Sequence, residues 1–159
     1  MQKQKVGVSF APHFSKEAET NYGRIALAAV GGFAVYFVMG GVLFGVLPWP
    51  RTEFQKYPAV YRSQEGIKNT MPFGMAAMFL AMLALGTIYA MFAQSGQTGY
   101  VRGAQFGVLI GVFSVGSFVV HNYVNLNIGL KLTVEQAVAY FFEWLAVGIV
   151  FGMIYRPAR

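Results

Sequence analysis

No cysteine occurs among the 159 residues, which excludes disulfides, Cys-ligated zinc, iron–sulfur clusters and thiol catalysis. Aspartate is absent as well, so all six acidic residues are glutamates. Charged residues make up 11% of the chain, against about 25% in a soluble domain, too few to build a surface that faces water. No phosphate-binding loop, nucleophile–base pair or metal-ligand spacing is present, so no catalytic role is expected. The net charge of +6 suggests nucleic acid in a soluble protein. Here the basic residues flank apolar segments, where they anchor helix ends and meet anionic headgroups. Membrane lipids are the expected contact, and nucleic acid is not.

What is present is apolar: 56% of residues are hydrophobic and 16% aromatic. The apolar residues gather into four runs, each near the about 20 residues needed to cross a hydrocarbon core. They are placed at about 25–47, 71–94, 104–127 and 134–155. The fold class is therefore all-α: a polytopic membrane protein with four transmembrane helices in an antiparallel bundle. Residues 1–24 form a polar N-terminal tail, 25–156 the transmembrane domain and 157–159 a short C-terminal tail. The tail's polar stretch is too long for a signal peptide.

Local punctuation sets the expected boundaries. Pro48-Trp49-Pro50 ends the first run and places an aromatic at the interface. The connection 48–69 reads as a solvated loop on the headgroups, with Tyr57 and Tyr61 four apart on a short surface helix. Thr70 is the expected N-cap of the second run, with Pro72 in its first turn. Met75, Met78 and Met82 form a stripe suited to flexible packing or lipid contact. Thr133 to Gln136 has the form of a capping box opening the fourth run.

Three glycine pairs recur at four-residue spacing: Gly41/Gly45, Gly107/Gly111 and Gly148/Gly152. In lipid, such small faces let helix backbones approach closely, and all three are expected at helix contacts. Ser114, Gly116 and Ser117 extend the face of the third run. Lys and Arg number seven on the side of the termini and five on the other, which places both termini in the cytoplasm.

The polar group at membrane depth is His121, Asn122 and Asn125, with Glu143 in the next run. Ionisable groups at that depth are costly and face a protein interior, a cavity or a bound group. Measured along the two runs, His121 and Glu143 fall at compatible depths, and a contact between them is expected. Three readings stay open. The first is an interhelical polar clamp. The second makes His121 an axial ligand for haem or a chlorophyll-type pigment, with His13 a poor second ligand. The third is a proton or solute path through Glu143. No cofactor is required by any motif, and structural lipids are the simplest bound groups.

From Gly103 the chain reads Gly-Ala-x-Phe-Gly, then His121-Asn122-Tyr123-x-Asn125-Leu126, then Glu143-Trp144 and a final glycine-rich turn. In these features it resembles the small bacterial four-helix inner-membrane families of unknown function. The resemblance implies a four-helix fold and a bacterial inner membrane, and it carries over no functional residue. The expected role is a non-catalytic accessory or structural subunit of a larger integral-membrane assembly, energy-transducing complexes included. The alternatives are a small transporter or channel using Glu143, and a pigment- or haem-binding subunit using His121.

Overall fold

The computed structural model describes residues 20–93 and 98–157, excluding the side chains at 49–51. The expected tail before residue 20, His13, the link at 94–97, the Trp49 side chain and residues 158–159 lie outside this set. Six helices follow in order: α1 (Tyr22–Gly40), α2 (Pro48–Phe54), α3 (Gln64–Ala93), α4 (Tyr100–Ser114), α5 (His121–Asn125) and α6 (Leu130–Ile154). Wide π-helical stretches extend α1 over Gly41–Val46 and join α4 to α5 over Val115–Val120. Among the described residues four spans are long and apolar enough to cross a membrane: Tyr22–Val46, Gln64–Ala93, Tyr100–Asn125 and Leu130–Ile154. The chain is an all-α four-helix membrane bundle.

All four spans start somewhat earlier than expected, and at two of them the expected cap is displaced for a local reason. Helix α3 begins at Gln64 because Ser63, not Thr70, is the cap: its Oγ accepts from the Gly66 N–H at 3.2 Å. Thr70 lies inside the helix and donates back to the Gly66 carbonyl at 3.0 Å. Pro72 is then an interior proline, removing one backbone donor from a 30-residue helix. Helix α6 begins at Leu130, so Thr133 sits a turn inside, with its N–H and its hydroxyl both donating to the Gly129 carbonyl. No capping box forms there. Gln136 instead donates to the Tyr61 hydroxyl at 3.3 Å.

Helix α6 is the centre of the bundle, flanked by α4 on one side and α1 on the other. Helix α3 packs mainly on α1 and meets α4 only sparsely. Near the α3–α4 link, Tyr89 is fully buried among Phe106, Phe151 and Tyr155, with ring centroids 5.2, 6.1 and 5.9 Å away. Arg102 caps this aromatic end, its guanidinium 3.8 Å from the Phe92 ring centroid and donating to the Phe92 carbonyl at 3.1 Å. On α3, Met82 is buried, Met78 half-buried and Met75 exposed, so the methionine stripe is divided between core and lipid.

Helices α4 and α6 meet backbone to backbone. A Cβ on Gly107 would lie 2.8 Å from Leu145 Cα, and one on Gly103 would lie 2.9 Å from Gly152 Cα. Gly111 faces Phe141, and Gly148 nests against the Gly107 and Gly103 backbones. Two expected pairs, Gly107/Gly111 and Gly148/Gly152, thus lie on one seam. Gly41/Gly45 do not: nothing approaches within 4 Å of a Cβ at either position. Gly41 is one residue past Gly40, the position that meets Glu143, and so lies on a different face. The glycines of α1 that pack are Gly31, against Ile154 and Val150, and Gly32, against the Phe151 ring. Likewise Gly116 faces open space and Ser117 bonds back to the Phe113 carbonyl, leaving Ser114 as the member of that face that reaches α6.

Candidate functional site

Glu143 is 1% exposed in the middle of α6, on the face turned to α1. Its Oε1 lies 2.7 Å from where a Cβ on Gly40 would stand, so Gly40 leaves the room the carboxyl occupies. Tyr36 on α1 and Tyr140 on α6 lie within electrostatic reach. Among the described residues Oε2 is buried without a hydrogen-bond partner. Next to it on α6, Trp144 donates to Ser114 Oγ at 3.0 Å and its ring lies against Tyr36, centroids 5.3 Å apart. One turn thus ties α6 to both neighbours.

The expected contact between His121 and Glu143 is not formed. The glycine seam fixes the register of α4 on α6: Gly103 meets Gly148, Gly107 meets Leu145 and Gly111 meets Phe141. Level with Glu143 is therefore Leu109, and His121 lies about 18 Å further along at about 1.5 Å per residue. His121 is exposed on α5, a helix with no buried residue. Depths counted from the two ends of the link misplaced the pair, because α6 starts four residues earlier than read and α4 and α6 cross close to their glycines. Asn125 turns to its own helix, donating from Nδ2 to the His121 carbonyl at 2.7 Å, and Asn122 is half-buried beside it. The polar group divides into a buried Glu143 and an exposed helix end.

A second polar centre, unread in the sequence, lies where the first connection folds back on α6. Glu53 is 3% exposed and accepts from Lys131 Nζ at 2.5 Å and from Lys56 Nζ at 2.7 Å. Tyr57 Oη accepts from the Gly129 N–H at 2.9 Å, a contact that needs the missing side chain of Gly129: a Cβ there would lie 2.5 Å from the hydroxyl. Together with Gln136–Tyr61, these bonds staple residues 53–61 to the start of α6. The connection is a docked latch rather than a solvated loop. Glu53 and Lys56 at i and i+3 gave a local hint, but the partner 78 residues away left none.

The lysines hold the Glu53 carboxyl below the usual carboxylate range, the hydrogen bond from Lys131 first and that from Lys56 second. A lowered folded value means the latch contributes stability above the unfolded value of about 4.3 and loses it as pH falls through the folded value. We expect the near-UV circular dichroism of Tyr57 and Tyr61 to change only below about pH 4.3 in the native chain. Glu53→Gln should show the changed signal already at neutral pH. Identical profiles for the two proteins would mean that Glu53 does not hold the latch.

Two clefts border these centres. One, of about 700 Å³, lies beneath the latch between the end of the first span and the start of α3. The other, of about 460 Å³, is a groove between α3 and α4 floored by Trp144. Among the described residues no cluster of His, Cys, Asp or Glu is arranged to hold a metal ion. No family model matches this chain, and no curated protein or solved structure matches it either, so the reading of these sites rests on their geometry.

Proposed function

We propose that this chain is a non-catalytic accessory subunit of a larger integral-membrane assembly in a bacterial inner membrane, with both termini cytoplasmic. The observation that carries the reading is the groove between α3 and α4. It is lined by Leu85, Ile88, Ile110, Phe113 and Phe118 and floored by Trp144, with Ser114 and Ser117 on its α4 wall. A self-contained bundle closes its first-to-last helices over such a surface. Here α3 leans on α1 instead, leaving an apolar groove of about 460 Å³ between α3 and α4.

Purification in mild detergent through a C-terminal tag tests the proposal, with a photo-crosslinking residue at Phe113. Membrane subunits should co-purify, and one should cross-link in the groove. A solitary chain with lipid as its sole cross-link overturns the reading. Glu143 favours a second reading, a small transporter or channel, because its unpartnered oxygen is buried at mid-span. Flux abolished by Glu143→Gln in a chain that purifies alone would move the assignment there. His121, exposed on α5, has the open side that a pigment or haem shared with a partner needs. A visible absorption band lost in His121→Ala would support that third reading.

A further inference from the structure

The cleft beneath the latch has the two-ended chemistry of a lipid site. Its apolar part is formed by Phe44, Phe54, Tyr61 and Ile67, its polar part by Arg62 and Ser63. Phe54 stands edge-on to both Phe44 and Tyr61, centroids 6.0 and 4.7 Å away, giving a rigid aromatic wall. The volume of about 700 Å³ is within the about 300–1,000 Å³ of small-molecule sites. The walls come from Phe44 near the end of the first span, from the connection at 54–63 and from the first turn of α3, so the cleft lies at the shared end of two membrane-length helices, where headgroups are expected.

Charge decides which lipid. Arg62 is exposed and makes no ion pair among the described residues; Glu65, also exposed and three residues on, does not engage it. The buried acid nearby, Glu53, is already neutralised by Lys56 and Lys131. The start of α3 at the same rim adds the positive end of a helix dipole. Either headgroup offers Arg62 a phosphate, but a zwitterionic one also brings a cation that the guanidinium and the helix end repel, so a headgroup with net negative charge gains more.

We propose that this cleft binds one anionic phospholipid, its phosphate at Arg62 and an acyl chain along Phe44, Phe54 and Ile67. The latch of Glu53, Tyr57 and Tyr61 then serves to hold the loop as the roof of a lipid site.

Native mass spectrometry of the full chain tests this, with phosphatidylglycerol and phosphatidylcholine titrated into delipidated protein. Phosphatidylglycerol should bind at about tenfold lower concentration than phosphatidylcholine. Arg62→Gln should reduce that preference to about twofold or less, and Arg62→Lys should keep part of it. Ile67→Trp, which fills the cleft without changing charge, should lower phosphatidylglycerol occupancy about tenfold. Lys68→Gln, outside the cleft, should alter neither. No preference in the native chain, a preference that survives Arg62→Gln, or occupancy untouched by Ile67→Trp each overturns the proposal. So does a preference lost equally in Lys68→Gln, which would mark a diffuse surface attraction.

Discussion

Gly148→Ala should destabilise the bundle by about 2 kcal/mol or more, while Gly41→Ala should be neutral within about 0.5 kcal/mol. The two substitutions add the same methyl group to the same kind of residue. At 148 that methyl meets backbone: Gly103 O and Gly107 N at 2.5 Å, with Gly107 Cα closer still. Backbone has no rotamer to give, so α4 must move away from α6 along the whole seam, and the packing lost is collective. At 41 nothing stands within 4 Å, and alanine even gains helix propensity over glycine. Detergent-solubilised thermal unfolding, followed by helical circular dichroism, measures both. Equal shifts for the two variants would mean that α4 and α6 do not touch at these glycines. The movement also carries Ser114 from Trp144, the bond at the floor of the α3–α4 groove. Gly148→Ala should therefore reduce subunit co-purification together with stability.

The same contrast marks what the sequence made legible. Four spans were readable because an apolar run of bilayer length has few other uses, and their ends fell within a turn or two of the observed ones except at α3. Gly107, Gly111, Gly148 and Gly152 were readable because four-residue spacing on a regular helix keeps residues on one face. Gly41 and Gly45 failed because spacing gives a shared face but not its direction: Gly40, one residue earlier, is the position that meets α6. The Glu53 latch showed only its local pair with Lys56, because Lys131 and Glu53 are brought together by tertiary folding alone. His121 and Glu143 were each correctly seen as polar groups within long apolar runs. Their pairing required the helix register, which was already written in Gly103, Gly107 and Gly111 but was not used to set depth. Counting from loop ends gave way to the glycine seam.

Glu143 is the residue whose substitution should separate stability from function. A buried polar atom without a partner costs about 1–3 kcal/mol relative to an apolar group of similar shape. Glu143→Met, close in volume and free of that cost, should therefore raise the stability of the bundle by about 1–3 kcal/mol. Gly40 supplies a check on the geometry. Gly40→Ala places a methyl 2.7 Å from Oε1 of this buried side chain, which must shift to admit it. It should cost about 1 kcal/mol in the native background and nothing with Glu143→Ala, a coupling within the range of about 0.5–3 kcal/mol seen for touching residues. Additive effects would place the carboxyl away from α1. If Glu143→Met instead destabilises, the carboxyl is anchored by a bond to its surroundings and acts as polar glue. If it stabilises, a costly group is kept at mid-span for what it does, the usual sign of a stability–function trade-off. In that case loss of co-purifying subunits in the stabilised variant assigns Glu143 to assembly. Intact assembly with lost flux assigns it to a proton or solute path.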